Sequence, residues 1–273
     1  MPYRLHSVKP ERRAIQKRAS LKIMSDVIFA LTMRELKTRF GHNRLGYFWA
    51  IMEPVGQVAI LGLIFSLIGR NSVANIPVAL FLFTAILPFK LFGKLLNQLS
   101  AAIDANKGLL SYRQVTAIDP VITRIVIEVA TFILVYVFIF SVMAWLGFTA
   151  WPDNLLGLLT ATALLIIFTV GLGLLLCTAI SFWKDANKLT AIITRPLFFI
   201  SGIFFCATMI PPQYWYLLDW NPIFHAIELS RDSFFNAYTS PAGQWSYLSF
   251  CALVSFSLGL ALFHLCRHRF IGS

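Results

Sequence analysis

The chain has 273 residues and a formal net charge of +11, with 58% hydrophobic but only 13% charged residues. Because soluble domains carry about 25% charged residues, and because the apolar residues here fall in long blocks, the composition excludes an ordinary soluble domain and predicts an integral membrane protein. The positive charge does not indicate a nucleic-acid partner, since 11 of the 23 lysines and arginines precede residue 49 and most others lie in short segments between the blocks.

The N-terminal region predicts a basic cytoplasmic tail over residues 1–24, followed by an amphipathic helix over residues 25–41. No apolar block with a small-residue cleavage site follows the tail, so no secretory signal peptide is predicted. Ser25 is the predicted N-cap of the helix. An apolar stripe and a basic face predict that it lies in the membrane interface, either as an anchor on anionic lipid or beside a pore mouth that attracts an anionic substrate. The stripe is Phe29, Met33, Leu36 and Phe40, and the basic residues are Arg34, Lys37 and Arg39.

The first apolar block begins beside an aromatic pair, Tyr47 and Trp49, which is typical of a membrane interface. Glu53 follows inside the block, where an unpaired carboxylate costs about 2.5–3.5 kcal/mol. That cost is expected to be offset by Arg44, Arg39, a partner subunit or water. Both a structural role beside Pro54 and a role in a pore or gate remain open for Glu53.

Six blocks are candidates for membrane-spanning helices, which need about 20 mainly apolar residues. The fifth has 15 apolar residues from Pro196 to Ile210, about 22 Å of helix. It must therefore include Leu189–Arg195 or be broken at Pro211-Pro212. The six blocks are Trp49–Ile68, Ile76–Phe92, Ile125–Leu146, Leu155–Phe182, Leu189–Ile210 and Trp245–Leu265.

The charges outside these blocks predict the orientation of the chain. From the N terminus onward, the seven segments carry 11, 1, 5, 0, 3, 1 and 2 lysines and arginines, with Lys90 and Lys94 counted as flanks of the second loop. High and low values alternate. The positive-inside rule therefore predicts six spans with both termini in the cytoplasm, together with the second and fourth loops.

The second loop, residues 101–120, has the pattern of a short helix, a break at Gly108 and a polar turn before Pro120. A compact cytoplasmic loop of this kind can dock in a groove on another protein, and it can equally be a plain connector. At the start of the third span, Arg124 and Glu128 lie one helical turn apart and predict a structural pair.

The segment between the fifth and sixth blocks, residues 211–238, is too apolar for a free loop and too broken to cross the membrane. It predicts short interfacial or re-entrant helices, the second beginning at Asn221-Pro222. Its aromatic residues fit either an interfacial belt or a surface that stacks on sugar rings at a pore exit. They are Tyr214, Trp215, Tyr216 and Trp220.

The sequence contains no G-x-x-x-x-G-K-[ST], G-x-S-x-G, H-E-x-x-H or C-x-x-C motif. A chain without the first of these does not bind a nucleoside triphosphate in the P-loop manner. His225 has no neighbours at metal-ligand spacing, so no metal site is predicted. The four cysteines are scattered through apolar stretches. We therefore expect no catalytic residues, no bound cofactor and no enzymatic activity.

Several segments together carry a resemblance to a known family. The runs RELKTRFGHNRLGYFWAIMEP, LPFKLF, AIDANKGLLSYRQVTAIDPVITRIVIE and IPPQYWYLLDWNPIFHAIELSRDSF occur in this order over about 200 residues. They resemble the ABC-2 type membrane subunits that export polysaccharides, most closely the inner-membrane permeases of Gram-negative group 2 capsule exporters. Thr116-Ala117 stands where a Lys-Pro-like pair is expected, a small departure from the pattern.

The resemblance implies an all-α membrane fold of the ABC-2 exporter type, with six transmembrane helices over residues 42–273. It also implies an amphipathic gate helix at the N terminus, a coupling helix within residues 102–115, and two re-entrant helices between the fifth and sixth spans. The implied assembly in the bacterial inner membrane is a homodimer with two copies of a separate ABC ATPase, which binds the ATP and Mg²⁺. The implied cargo is an anionic lipid-linked capsular polysaccharide, passed on to a periplasmic co-polymerase or adaptor and an outer-membrane export protein.

Two groups of residues carry the implied function. The candidates for the substrate path and gate are Arg34, Arg39, Arg44, Tyr47, Trp49, Glu53, Arg195, Tyr214, Trp215, Trp220 and Arg231. The candidates for coupling to the ATPase are Asp104, Ala105, Asn106, Lys107, Gly108, Leu109, Tyr112 and Arg113.

Two alternatives remain open from the sequence. The same class of transporter can carry another polysaccharide, such as an O-antigen or a teichoic acid. A membrane-embedded glycolipid transferase belongs to a different class of function. A neighbouring reading frame that encodes a P-loop ATPase would favour the exporter, whereas turnover of a glycan precursor by the purified chain would favour the enzyme.

Overall fold

A computed structural model describes residues 20–40, 46–112, 114–267 and 269–270. Within these residues the chain is mostly helical, and the strands of the described part form one short antiparallel hairpin in the first loop. Asn75 and Ala74 at its tip both have positive φ, as a tight two-residue hairpin requires. The elements are α1 Ser20–Phe40, α2 Gly46–Leu67, β1 Ser72–Val73, β2 Ile76–Pro77, α3 Val78–Ser100, α4 Lys107–Leu110, α5 Asp119–Trp145, α6 Leu155–Phe182, α7 Asn187–Ile200, α8 Pro222–Phe234 and α9 Trp245–Cys266.

Helix α1 extends further toward the N terminus than the sequence predicts. It begins at Ser20, so Ser25 lies inside the helix, and the prediction that Ser25 is the N-cap is wrong. The preceding residues Leu21–Met24 are good helix formers, and they continue the helix without a break.

Two residues of the predicted apolar stripe of α1 face away from the rest of the chain, and a third, Leu36, is half-buried. Phe29 is 64% exposed and Met33 is 40% exposed, as expected for side chains that contact lipid. The opposite face of the helix, at Leu31 and Glu35, is buried. Helix α1 therefore rests on the bundle through one face and leaves Phe29 and Met33 exposed.

Five of the described helices are long and apolar enough to cross a membrane: α2, α3, α5, α6 and α9. They confirm five of the six predicted spans in outline. Their burial is unequal. In the most apolar stretch of α3, 78% of the residues are buried, whereas only 17% are buried in the corresponding stretch of α2. Helix α3 is thus the centre of the single chain, and α2 is its most exposed span.

Helices α6 and α9 cross at unusually short range. A methyl group on Gly171 would lie 2.3 Å from the backbone carbon of Ser255, and one on Gly259 would lie 2.4 Å from the carbonyl oxygen of Gly171. Small residues at such a crossing let two backbones approach, which favours packing between helices in lipid. Ser255 Oγ also donates a hydrogen bond to the Phe168 carbonyl at 3.3 Å.

Helix α3 continues to Ser100, eight residues beyond the predicted end of the second span. Lys90 and Lys94 therefore lie inside a spanning helix, and their prediction as flanks of the second loop is corrected. Both lysines contact a carboxylate on α2. That contact offsets the cost of placing them inside the bundle.

The predicted fifth span is not a continuous helix. Helix α7 includes Leu189–Arg195, but it ends at Ile200 rather than at the Pro211-Pro212 break that the sequence suggested. Gly202 follows with φ of +78°, a conformation that ends the helix. Fourteen residues give about 21 Å of helix, which is too short for a crossing.

The chain nevertheless continues along α3 after α7 ends. The ring of Phe198 lies 5.3 Å from that of Phe89, near the middle of α3. The carbonyls of Ile203 and Phe205 accept hydrogen bonds from Arg231, whose guanidinium stacks on Phe81 near the start of α3. Irregular backbone thus extends the path of α7 toward the other end of the bundle.

The segment between α3 and α5 also differs in detail from its prediction. A 3₁₀ turn over Asp104–Asn106 precedes α4, and Gly108 lies inside α4. The predicted break at Gly108 is therefore wrong, since the change of helical geometry occurs at Asn106. The predicted start of α8 at Asn221-Pro222 is confirmed, with Asn221 Oδ1 accepting a hydrogen bond from the Ile223 amide at 3.0 Å.

Candidate functional site

A carboxylate and two lysines form a compact charged cluster between α2 and α3. Lys90 Nζ lies 2.7 Å from Glu53 Oε1, and Lys94 Nζ lies 2.8 Å from Glu53 Oε2. We call these three residues the inner triad. The sequence suggested Arg44 or Arg39 as the partner of Glu53, whereas the described partners are these two lysines. Their spacing of four residues places both on one face of α3.

A small cavity of about 40 Å³ adjoins the inner triad. Helices α2, α3 and α5 form its walls. Lys90, Lys94, Glu128 and Thr131 contribute its polar side chains, and Pro54, which lies inside the continuous α2, is part of its lining. Polar groups from three helices therefore meet at one place within the bundle.

Helix α1 is tied to the segment before α4 by Arg34. Its guanidinium donates a hydrogen bond to Asn106 Oδ1. Asn106 is buried, and its amide nitrogen donates to the Ala102 carbonyl at 2.9 Å. Two predicted residues from different groups, one for the gate and one for coupling, are thus in direct contact.

The next residue of α1, Glu35, forms a second link with the bundle. Arg124 Nε lies 3.3 Å from Glu35 Oε1, and another nitrogen of Arg124 donates to the Gln98 carbonyl at the end of α3. Glu35 and Arg124 are both buried. The sequence predicted Glu128 as the partner of Arg124 and missed Glu35, since 89 residues separate the two.

The segment over residues 104–112 offers an exposed surface on a fixed base. Asn106 and Leu110 are buried, whereas Asp104, Lys107 and Tyr112 face outward. Tyr112 is 63% exposed, and Lys107 Nζ pairs with Asp104 Oδ1 at 3.2 Å. Such a surface can bind another protein, because its buried residues hold the exposed ones in place. The other predicted coupling residues Ala105, Gly108 and Leu109 are exposed or half-buried.

Arg231 is fully buried, so it contributes nothing to the surface of this chain. Its guanidinium pairs with Glu228 at 3.3 Å and donates to the carbonyls of Phe205 and Ile203, at 3.0 and 3.4 Å. These carbonyls belong to the irregular backbone after α7. Non-helical backbone within a membrane protein needs such internal partners. We therefore assign Arg231 to the support of this segment and not to the substrate path.

Glu228 completes the same internal network. Its Oε2 accepts hydrogen bonds from the hydroxyls of Tyr238 and of Ser240, the latter at 2.8 Å, and from the Ala207 amide at 3.4 Å. Burial and the neighbouring carboxylate raise the pKa of the Tyr238 phenol above its ordinary value. Tyr238 therefore stays a hydrogen-bond donor throughout the physiological pH range.

The predicted aromatic residues beyond α7 lie in and beside a 3₁₀ turn over Pro212–Leu217. Tyr214 and Trp220 are about half exposed, whereas Trp215 is more buried and donates from Nε1 to the Ile210 carbonyl at 3.0 Å. Trp220 Nε1 donates to the Leu217 carbonyl at 2.7 Å. The two tryptophan rings present both an apolar face and a satisfied polar edge, which suits either an interface or a sugar.

The remaining path candidates are distributed more widely. Trp49 on α2 is 62% exposed, and Arg195 on α7 is exposed. The side chains of Arg39, Phe40 and Tyr47, and the whole of Arg44 and Arg113, lie outside the described part of the chain. The described residues contain no group of histidine, cysteine or acidic side chains suited to a metal ion.

The geometry thus gives an exposed surface at residues 104–112, a link from Asn106 to Arg34 of α1, a link from Arg124 of α5 to Glu35 of α1, and a charged cluster between α2 and α3. The arrangement suits a protein that moves in response to a partner.

Comparison with known proteins agrees with this assessment. The family model for ABC-2 type transporters matches residues 26–235. The polysialic acid transport protein KpsM of Escherichia coli is 37% identical over 246 residues, which cover 90% of this chain and 95% of that protein. The capsule polysaccharide export inner-membrane protein CtrC of Neisseria meningitidis is 29% identical over 89% of this chain and 92% of its own length. The O-antigen export system permease protein RfbA of Klebsiella pneumoniae is 24% identical over 94% of this chain and 98% of its own length.

Proposed function

The chain belongs to the ABC-2 type transporter family, and from this membership we propose the working parts of a capsule exporter. The chain is a permease subunit of a capsular polysaccharide exporter, and it is an integral, multi-pass protein of the inner membrane. It is a transporter subunit and not an enzyme, and an ABC ATPase is its partner. The observation that carries this conclusion is the 37% identity to a polysialic acid transport protein over 90% of the chain.

The proposed cargo is an anionic, lipid-linked capsular polysaccharide. A relative named for polysialic acid transport reaches 37% identity and one named for capsule polysaccharide export reaches 29%, whereas the relative named for O-antigen export reaches 24%. This difference favours a capsule over an O-antigen. The basic residues of α1 and the two lysines of the inner triad are suited to an anion.

The ATPase subunit is proposed to dock on residues 104–112 and to hold the ATP and Mg²⁺. The buried residues Asn106 and Leu110 support this surface from below. Arg34 bonds to Asn106, so a push on the docking surface would reach α1 directly. The pair Glu35 and Arg124 would carry the same movement to α5. Helix α1 is accordingly proposed as the gate helix.

Six crossings, with both termini in the cytoplasm, are proposed for the chain. Five are the long helices, and the remaining one combines α7 with the irregular residues 201–206. Two contacts support this crossing. The ring of Phe198 packs on that of Phe89 near the middle of α3, and the Ile203 carbonyl accepts a hydrogen bond from Arg231, which stacks on Phe81 near the start of α3. Helix α8 and the 3₁₀ turn before it would then be the re-entrant elements on the periplasmic side.

The proposed assembly is a homodimer with two ATPase subunits, working with a periplasmic adaptor and an outer-membrane export protein. Only 17% of the residues in the most apolar stretch of α2 are buried in the single chain. Two copies related by a two-fold axis would cover such a surface and enclose a path wide enough for a polymer.

Deletion of the chain in its own cells tests this function against the transferase alternative. An exporter mutant makes complete polysaccharide and retains it in the cytoplasm, so total polysaccharide stays near the wild-type amount while the surface capsule is lost. Loss of the polysaccharide itself, with accumulation of a shorter glycolipid precursor, would instead support a transferase.

A further inference from the structure

The inner triad has an unequal charge balance. Glu53 carries one negative charge, and Lys90 and Lys94 carry one positive charge each, so the three residues together carry a net charge of +1. Glu128 adds a carboxylate on the far wall of the adjoining cavity, from α5. A single carboxylate therefore bridges two ammonium groups, and each ammonium group has further capacity for hydrogen bonds.

The triad lies well away from the start of α2 and from the end of α3. Glu53 is seven residues from the start of α2, which is about 10 Å along the helix, and Lys94 is six residues from the end of α3, about 9 Å. Lysines near helix ends usually extend their ammonium groups toward the membrane surface. Here both ammonium groups are instead held on the Glu53 carboxylate.

The triad is also open on one side. The side chain of Glu53 is 50% exposed and that of Lys94 is 44% exposed in the single chain. Ionised groups exposed to this extent do not face hydrocarbon, because each would cost several kcal/mol there. The exposed side of the triad must therefore face water or another polar surface. This condition identifies one wet face shared by α2 and α3.

We propose that the inner triad lines the aqueous path and binds an anionic end group of the cargo, a phosphate or a carboxylate. The incoming anion replaces Glu53 as the bridge between Lys90 and Lys94. This proposal rests on the exporter function and adds a binding site to it. Exchange of one anion for another keeps both lysines paired throughout. Competition from Glu53 limits the affinity, which suits a site that must release its ligand as the chain moves on.

The experiment measures binding of radiolabelled dodecyl phosphate to the complex with its ATPase, in nanodiscs of neutral phosphatidylcholine. Lys94→Gln should weaken binding about tenfold, since it removes one charged hydrogen bond. Glu53→Gln should tighten binding severalfold, because it removes the competing carboxylate. Lys188→Gln is the matched control, since Lys188 pairs with Asp185 at 2.7 Å at the start of α7, away from the inner triad, and it should leave binding unchanged.

The opposite signs of the two changes separate a binding site from a structural ion pair. Weaker binding in both Glu53→Gln and Lys94→Gln, or equal binding in all variants, would overturn the proposal. If Lys94→Gln fails to assemble, the direction of change in Glu53→Gln decides alone. Inorganic phosphate is added as a competitor. Strong competition shows that the site recognises the anion itself, and weak competition shows that it recognises the anion together with its lipid chain. Either result supports the proposal if Glu53→Gln and Lys94→Gln change binding in opposite directions. The measurement does not use ATP, so its failure leaves the exporter function standing.

Discussion

At the scale of single residues, the charged side chains divide into two kinds. Arg231 and Glu228 are fully buried and satisfy irregular backbone, whereas Glu53 and Lys94 are half exposed within spanning helices. The first arrangement belongs to the architecture of the chain. The second leaves charges available to a ligand. Residue type alone does not distinguish the two, because the distinction depends on burial in the folded chain.

Arg231→Leu should destabilise the protein by about 3–5 kcal/mol, because it leaves Glu228 as an unpaired buried charge and removes the donor to two carbonyls. Thermal unfolding in detergent measures this effect. Arg70→Gln, at an exposed position, is the control and should behave as the wild type. An Arg231→Leu protein of normal stability that fails to export would instead return Arg231 to the substrate path.

At the scale of elements, two features organise the bundle: the close crossing of α6 and α9, and the links from α1 to its neighbours. The crossing depends on glycines, since a side chain at Gly171 or Gly259 has no room. The links depend on the adjacent residues Arg34 and Glu35, which reach different partners. One feature fixes helices together, and the other connects a surface helix to a docking segment.

Gly171→Ala should destabilise the bundle by about 1–3 kcal/mol, because its methyl group would lie 2.3 Å from the Ser255 backbone and force α9 to move away. Gly62→Ala is the matched control, since nothing lies within 4 Å of a methyl group there. Comparison of the unfolding temperatures of the two variants in detergent checks the prediction. Equal temperatures would show that the helices do not approach so closely.

Tyr112→Ala should weaken binding of the ATPase subunit by about 2 kcal/mol, or roughly thirtyfold, since exposed aromatic residues at an interface are frequent hot spots. Tyr216→Ala is the control, because Tyr216 is similarly exposed at 67% but belongs to the segment proposed to be periplasmic. Co-purification of the ATPase with each variant, followed by titration, gives the affinities. Equal losses in both variants, or none in either, would argue against docking at residues 104–112.

At the scale of the whole molecule, the chain is a bundle with a buried central helix and a mostly uncovered α2. Helix α2 carries Glu53 of the inner triad, whose two lysines lie on α3, and the proposed docking surface lies at the loop that follows α3. The proposed contacts with the second copy and with the cargo thus share α2, and the proposed contact with the ATPase is separate from both.

Cysteine labelling tests the six-crossing arrangement. The four native cysteines are first removed, and a membrane-impermeant maleimide is added to intact spheroplasts. Asp153→Cys should react with it directly. Lys184→Cys, and a cysteine appended after residue 273, should react only after lysis. Labelling of the appended cysteine before lysis would show an odd number of crossings, as the five long helices alone would give.

The sequence predicted what depends on local composition and missed what depends on distant partners. Five long apolar helices, the start of α8 and the family were accessible, because each follows from a continuous run of residues. The contact of Glu53 with Lys90 and the contact of Arg124 with Glu35 were not accessible from the sequence, since the residues of each pair are distant along the chain. The end of α7 was also missed, because Arg231, which supports the backbone after Gly202, lies on another element.

The central claim is that this chain is a passive conduit driven by a separate ATPase. The most direct measurement is the ATP turnover of the purified complex, with and without capsular glycolipid, beside the isolated chain. We predict no turnover by the isolated chain, basal turnover by the complex, and a severalfold stimulation by the glycolipid. ATP turnover by the isolated chain would contradict the assignment of a passive conduit.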